Sequence, residues 1–528
     1  MRCTARIARW LTAGALAAAL AGCGGGGGGS GGGGSTTVSP PANPVYQAGK
    51  FEAPATYAAY CAAPRTGTDP VTGAAYPDKP GSAVWENFWL RSWTNYYYLW
   101  YAEVPDLDPD GYATPAYFAL MKTPDLTPQG NPKDRFHFTY ATSTWEQLSD
   151  DGVVAGYGIT WDLVSASPPR QLLVALVQPG TPASAAGLAR GATVLSIDGV
   201  NLVSADDQAS VDTLNEGIAP SAVGESHTFV VEDVPGGPER SVTLTAADIT
   251  EIPVPLVTTF SEPGGLVGYI EFNDHIATAE AELISAFQTL AAAGVTDLVL
   301  DIRYNGGGYL DIASEVAYMV AGPAPTGGQT FEREQWNAKY PTTNPLTGAP
   351  LAPTPFWSTA QGYSATAGTP LPSLGLSRLF VLTTGSTCSA SEAIINGLRG
   401  VGISVIEVGS NTCGKPYGFY PQDNCGTTYF SIEFQGVNNV GFGDYPDGFA
   451  PANSPVAASV ALPGCSVADD FTHALGDPAE AEFAAALGYR ANASCPAATG
   501  SAAPIASGRH ALRVRPEPLL NRILRPPH

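Results

Sequence analysis

From residue 266 onward the chain alternates short continuous apolar runs with stretches of helical period. "GLVGYIEF" reads as a strand and residues 278–293 as a helix. "TDLVLDIR" is apolar throughout, and "NGGGYLDIASEVAYMVAG" is a glycine turn feeding a helix. "RLFVLTTG" is another buried-type strand, "SASEAIINGLRG" a helix and "ISVIEVG" a strand. A strand that is apolar along its whole length is covered on both faces, so this pattern predicts a sheet with helices packed against it.

Other regions differ in texture. Residues 152–250 hold short β-rich runs, "QLLVALV", "ATVLSIDGV", "HTFVVEDV" and "RSVTLTA", separated by turns. Between the first two, "PGTPASAAGLARG" predicts a helix of small residues bounded by Gly180 and Gly191. Residues 83–150 form an N-terminal helical segment. Its Trp85, Trp89, Trp93, Tyr96, Tyr97 and Trp100 recur at helical steps, which predicts an aromatic face turned to a core or lining a ligand groove. "VPDLDPDGY" breaks that helix, and residues 115–122 predict a second. Residues 323–376 carry few periodic features and read as a long loop, a lid over a cleft or an ornament. The fold class expected is therefore α/β (α+β) and multidomain: a helical segment, a β-rich domain at 152–250, and an α/β core at 252–495. The tail, 496–528, has five arginines and one glutamate and is expected to be disordered.

Composition narrows the setting. A net charge of −23 argues against nucleic acid as a partner, since that needs a basic face. The N-terminus has Arg2, Arg6 and Arg9 before an apolar stretch, 11–21, too short to span a bilayer comfortably. It ends in Leu20-Ala21-Gly22-Cys23, which resembles a bacterial lipobox. The resemblance implies a signal peptide at 1–22, lipidation of Cys23, and attachment to a membrane through that anchor. Glycine, not aspartate, follows Cys23, which favours the outer membrane, facing the periplasm. Residues 23–80 then read as a Gly/Ser/Pro-rich tether and lead-in. Six further cysteines remain: Cys61, Cys388, Cys413, Cys425, Cys465 and Cys495. An even count in an oxidising compartment predicts disulfides, with fifteen connectivities open. No close Cys-x-x-Cys pair occurs and the histidines are scattered, so neither a metal nor a cofactor is expected. Oligomeric state is left open.

"STCSASEAI", at 386–394, holds the candidate chemistry. Ser389 falls at the first turn of a helix, where free N–H groups and positive potential suit a developing oxyanion. Serine is a weak nucleophile and needs a base. No histidine lies nearby; the closest downstream is His473. Lys415, in "GSNTCGKPYG", follows the next strand, and that topology can return it to the start of the helix. A lysine acts as base only when neutral, so its ordinary pKa of about 10.4 must fall by several units, as burial can make it do. "LVLDIRYNGGG" ends a strand in three glycines. Backbone N–H groups of Gly307 or Gly308 would give half an oxyanion hole and that of Ala390 the other half.

Two resemblances extend this reading. The order strand, "PGTPASAAGL", "RGATVLSIDG" resembles a PDZ domain. It implies binding of an extended peptide by strand addition, with Gly156, Tyr157, Gly158 and Ile159 as the carboxylate-binding loop. Over residues 84–490 the chain resembles the C-terminal processing peptidases, or tail-specific proteases. The motifs are Asp301-Ile302-Arg303-Tyr304-Asn305-Gly306-Gly307-Gly308, Ser389-Ala390-Ser391-Glu392, Thr412-Cys413-Gly414-Lys415-Pro416 and Gly448-Phe449-Ala450-Pro451. The resemblance implies a serine endopeptidase with Ser389 as nucleophile, Lys415 as general base and Glu392 orienting the site. It implies an acyl-enzyme, and substrates that are exported polypeptides with exposed C-terminal tails. A non-catalytic PDZ adaptor and an apolar-ligand-binding module on the same fold are the alternatives. Cys388 and Cys413 stand where the family has Ala and Phe, and Pro416 replaces a glycine. If Ser389 meets Lys415, their neighbouring cysteines could bridge, giving a redox-sensitive site; Cys413 with Cys425 is equally open.

Overall fold

Strands Asp297–Asp301 and Arg378–Thr383 lie in the middle of a six-stranded sheet. The sheet runs Leu256–Glu262, Gly265–Glu271, Asp297–Asp301, Arg378–Thr383, Ser404–Gly409, Gly464–Ser466. Only the first pair is antiparallel; the rest are parallel, with Leu300 beside Val381 and Leu382 beside Val408. The computed structural model describes residues 41–70, 73–498 and 522–524. The expected signal peptide, Cys23 and most of the basic tail fall outside these. Among the described residues no helix is long and apolar enough to cross a membrane.

The continuous apolar strands are explained by cover on both faces. Ile270, Leu298, Leu300, Val381 and Val405 pack with Leu283, Phe287, Val316 and Ile394. Those partners come from helices Ala279–Ala293, Leu310–Ala321 and Ala390–Gly400. The alternate residues, Tyr269, Val299, Phe380, Leu382 and Val408, meet Phe483 and Ala486 of the Ala481–Asn492 helix. Each strand thus splits its side chains between two cores, as a period of two requires.

The β-rich region forms its own sheet in the order Glu239–Thr245, Ser226–Glu232, Thr193–Ile197, Gln171–Val177, Ile159–Ser165, around a separate core that includes Trp161, Val194 and Phe229. Helix Gln208–Ile218 packs beside it. Near the N-terminus, helix Ala83–Tyr97 buries Trp89 and Trp93, stacked at 5.3 Å, against Phe118 and Tyr429. That half of the aromatic stripe is core. Trp85, Tyr96, Tyr97 and Trp100 stay half-buried.

Residues 323–376 differ from the loop that their composition suggests. Strand Thr330–Trp336 lies within them and pairs with Phe434–Val437, while Gln361, Gly362, Ser364 and Ala365 donate backbone N–H groups to the buried Glu280 carboxylate. The segment is tied down by pairing with sequence-distant partners, which leave no local period to read.

Candidate active site

The parallel strands deliver the site at their C-terminal ends, where open sheets of this type place their clefts. After Asp301 the chain turns through Asn305 into the short strand Gly307–Tyr309. After Thr383 it reaches Ser389 and the Ala390–Gly400 helix. After Gly409 it runs through Thr412 to Lys415. Three segments far apart in sequence therefore converge.

Glu392 binds two of them together. Its Oε2 accepts the Ser389 N–H at 3.0 Å and the Lys415 N–H at 2.8 Å. Its Oε1 accepts the Gly414 N–H at 2.8 Å and the Thr412 hydroxyl at 2.6 Å. The carboxylate is fully buried; burial raises its pKa, with the Thr412 hydroxyl and the three N–H groups opposing. A disulfide makes the same link covalently. Cys388 bonds to Cys413, with Cα atoms 5.2 Å apart, and the other pairs are Cys61–Cys425 and Cys465–Cys495. Of the two pairings open for Cys413, the fold takes the one beside Ser389 and Lys415. Cys388, Glu392 and Cys413 bring possible metal-ligand atoms within 4.8 Å of one another, but the two sulfurs are bonded to each other.

Ser389 sits at φ 62°, ψ −114°, a region that costs an L-residue about 1–3 kcal/mol. Its surroundings hold it there. The Cys388 N–H donates to the Asn305 carbonyl at 3.1 Å and the Ser391 hydroxyl donates to the same oxygen at 3.0 Å. Ser389 is fully buried, and its Oγ has no hydrogen-bond partner among the described residues. Lys415 is also fully buried, with Nζ 4.0 Å from the Phe419 ring centre and 5.2 Å from that of Phe136.

The glycine turn presses against the serine. Gly307 has φ +97°, and a Cβ there would lie 2.8 Å from Ala390 N, Cys388 O and Ser389 Cβ. Only glycine fits. Its N–H donates to Asn305 Oδ1 at 2.9 Å, so that donor is already engaged. The Ala390 N–H, first of its helix, has no partner within the helix. The last motif lies against the lysine loop: Thr412 N–H donates to Phe449 O at 3.0 Å and Phe449 N–H to Thr412 Oγ1 at 2.8 Å.

Two residues had no role in the sequence reading. Asn305 stood in a motif, but its side chain and carbonyl prove to join the glycine turn to the serine turn. His275 gave no signal, lying far upstream in "FNDHIA". It is fully buried, its Nδ1 is 2.9 Å from Asn305 Oδ1, and its backbone pairs with Gly308. Burial pulls its pKa down to about 3. His473, the histidine nearest downstream, is instead paired with Asp470 at 2.6 Å.

In the β-rich sheet, Ile159–Ser165 is an edge strand. The preceding Gly156, Tyr157 and Gly158 line the same cavity as Leu163 and, from the helix opposite, Val211 and Asn215. Tyr157 is buried, with its hydroxyl donating to Gly217 O at 3.1 Å.

Residues 266–418 match the model of Peptidase family S41, a span that takes in the glycine turn, Ser389 and Lys415. The chain is similar to the carboxyl-terminal-processing proteases of Picosynechococcus sp., 28% identical over 278 residues, and Synechocystis sp., 27% identical over 271 residues. Each alignment covers 51% of this chain, and 56% and 55% of those relatives, so the chain spans about half the length of the curated relatives it matches. A solved structure from Bacteroides fragilis assigned to the S41 proteases shares the fold, with a TM-score of 0.52, 21% identity, and 79% and 98% of the two chains covered.

Proposed function

We propose that this chain is a serine endopeptidase that cuts polypeptides with exposed C-terminal tails through a Ser389/Lys415 dyad. The observation that carries the reading is the single Glu392 oxygen that accepts N–H groups from both Ser389 and Lys415. In this reading Ser389 Oγ attacks the scissile carbonyl and passes its proton to the Lys415 amine. The lysine ammonium gives that proton to the peptide nitrogen as the C–N bond breaks and the amine product leaves. An ester then stands on Ser389 and Lys415 is neutral again. The amine next takes a proton from the water that attacks the ester and returns it to Ser389 Oγ as the C–O bond breaks and the acid product leaves. Lys415 is wholly buried, with its Nζ beside the Phe419 and Phe136 rings, and a lysine serves as general base only in its neutral form. The oxyanion donors are the N–H groups of Ala390 and Gly308, because that of Gly307 is engaged by Asn305.

The edge strand Ile159–Ser165, with the loop of Gly156, Tyr157, Gly158 and Ile159, is proposed as the PDZ site that holds the substrate's C-terminus by strand addition. Lipidation of Cys23 and residence in the bacterial envelope, at the outer membrane facing the periplasm, are part of the same proposal. They are checked by metabolic labelling with a radioactive fatty acid, which Cys23→Ser should abolish.

The dyad is tested with an unstructured protein substrate followed by mass spectrometry. Wild type should cleave it, and Ser389→Ala and Lys415→Ala should each lose about 10⁴-fold or more in kcat. Equal cleavage by all three would assign the activity to another nucleophile or a contaminant.

A further inference from the structure

The edge strand Ile159–Ser165 splits its side chains between two faces. Ile159, Trp161 and Leu163 turn to the core of the β-rich sheet, where Leu214 and Ile218 of helix Gln208–Ile218 also pack. Thr160, Asp162 and Val164 therefore stand on the other face. Asp162 is half-buried there and lines the same cavity as Gly156, Tyr157 and Gly158. Its carboxylate accepts no hydrogen bond and forms no ion pair among the described residues; only Asp469 and Arg190 act on it, through their charges.

Arg190 is the cation that faces Asp162, and its donors are already used. Its five N–H groups go to the carbonyls of His473, Ala175 and Asp470 at 3.1, 2.9 and 3.1 Å, to the Tyr304 hydroxyl at 2.6 Å, and to Asp469. Burial and the Asp469 charge raise the Asp162 carboxyl to about 6, against the pull of Arg190. A half-buried carboxylate held in this way gains from any cation that reaches it with donors to spare. Asp162 contributes no bond to the fold, so its carboxylate is available to a ligand.

The strand geometry says which part of a ligand arrives. The loop of Gly156, Tyr157, Gly158 and Ile159 precedes the edge strand, so a peptide whose carboxylate sits in that loop runs antiparallel to the strand and away from it. Its terminal residue lies beside Ile159, and the residues at −1, −2 and −3 lie beside Thr160, Trp161 and Asp162. Directly opposed residues of an antiparallel pair point to the same face. The terminal and −2 side chains thus enter the apolar groove between the strand and the helix. The −3 side chain turns to the opposite face, against Asp162. A chain with a net charge of −23 also draws basic segments toward it from a distance.

We propose that Asp162 forms a subsite for a Lys or Arg side chain at the −3 position of the bound tail, and so selects substrates whose C-termini are apolar at the end and basic three residues before it. The proposal rests on the strand-addition site proposed above.

The experiment uses the full chain carrying Ser389→Ala, so that binding is read without turnover. Short labelled peptides ending in an apolar residue carry Lys, Arg, Ala or Glu at −3, and a control series carries the same residues at −2; affinity is read by fluorescence anisotropy. Lys or Arg at −3 should bind about tenfold more tightly than Ala, and Glu more weakly than Ala. Lys at −2 should bring no gain. Adding Asp162→Asn should erase the gain at −3 and leave the affinity of the Ala peptide unchanged, which also shows that the variant is folded. Equal binding of the whole −3 series, or a Lys preference that survives Asp162→Asn, would overturn the subsite and leave the strand-addition site standing. A gain at −2 in place of −3 would overturn it as well, because the other face of the added strand would then be reading the charge. No saturable binding of any peptide would sink the strand-addition site and the subsite with it. None of these outcomes depends on cleavage, so the Ser389/Lys415 reading stands or falls separately.

Discussion

At the scale of single residues, the candidate site is held together by groups other than Ser389 and Lys415. Glu392 accepts from four donors, two on each oxygen. Glutamine keeps the shape but turns an NH₂ toward one pair of donors, each of which is then buried and unpaired at about 1–3 kcal/mol. Glu392→Gln should thus lower stability by about 2–4 kcal/mol and kcat by about 100-fold with KM nearly unchanged, measured by denaturant titration and steady-state kinetics. A fall in KM affinity with normal kcat would show that Glu392 serves binding instead. His275 offers a pH test. Asn305 Oδ1 already accepts the Gly307 N–H, so His275 Nδ1 must donate to it, and the ring is neutral in the fold, its pKa held down to about 3. The unfolded chain takes up a proton on this ring below about pH 6.5 and the folded chain does not. Stability from this group is full above that pH and is lost as pH falls, by about 1.4 kcal/mol per pH unit. In His275→Asn the loss disappears, so the stability difference between wild type and variant should shrink by that slope between about pH 6 and 4. A difference constant with pH would mean that the ring is protonated in the fold.

At the scale of elements, the serine turn and the lysine loop are joined twice, by the Glu392 carboxylate and by the Cys388–Cys413 disulfide. Neither segment is regular structure, so each relies on such ties to hold its candidate residue, Ser389 or Lys415, in place. A closed loop of this length is worth about 3 kcal/mol through the unfolded chain. The kinetic effect is separate, because the cross-link adjoins Ser389 and lies two residues from Lys415. The double variant Cys388→Ser/Cys413→Ser should lower kcat about tenfold with KM within a factor of two, and a dithiol reductant should lower wild-type kcat similarly while leaving the double variant unaffected. Loss of activity in the double variant on reduction would assign the effect to Cys61–Cys425 or Cys465–Cys495.

At the scale of the whole molecule, the β-rich sheet is linked to the core by Arg190. This side chain donates to Asp469, to the Tyr304 hydroxyl at 2.6 Å, and to the carbonyls of Asp470 and His473, both at 3.1 Å. Arg303, fully buried, donates to the same Asp469 at 2.8 Å and to Glu480 at 3.0 Å, the residue that caps the last core helix. Burial pushes the Asp469 carboxyl up, and Arg303 and Arg190 together more than reverse it, holding it below the usual range. Arg190→Met leaves Asp469 with Arg303 but removes the link between the two sheets, at about 3–5 kcal/mol. Scanning calorimetry should then resolve two unfolding transitions where wild type gives one. A single transition near the wild-type Tm would show that other contacts carry the docking.

The sequence by itself determined most elements of the core and named the candidate reacting residues. Runs such as "TDLVLDIR" and "RLFVLTTG" marked strands covered on both faces, since no one-sided strand is apolar throughout. Motif spacing named Ser389, Lys415, Glu392 and the glycine turn, because those residue types are the ones that this chemistry uses. Pairing partners had no local trace. That Cys413 bonds Cys388 and not Cys425, that Thr330–Trp336 is a strand, and that His275 stands behind Gly308 all depend on segments brought together from tens of residues apart or more. Local pattern reports what a segment buries; which partner buries it is decided by the fold as a whole.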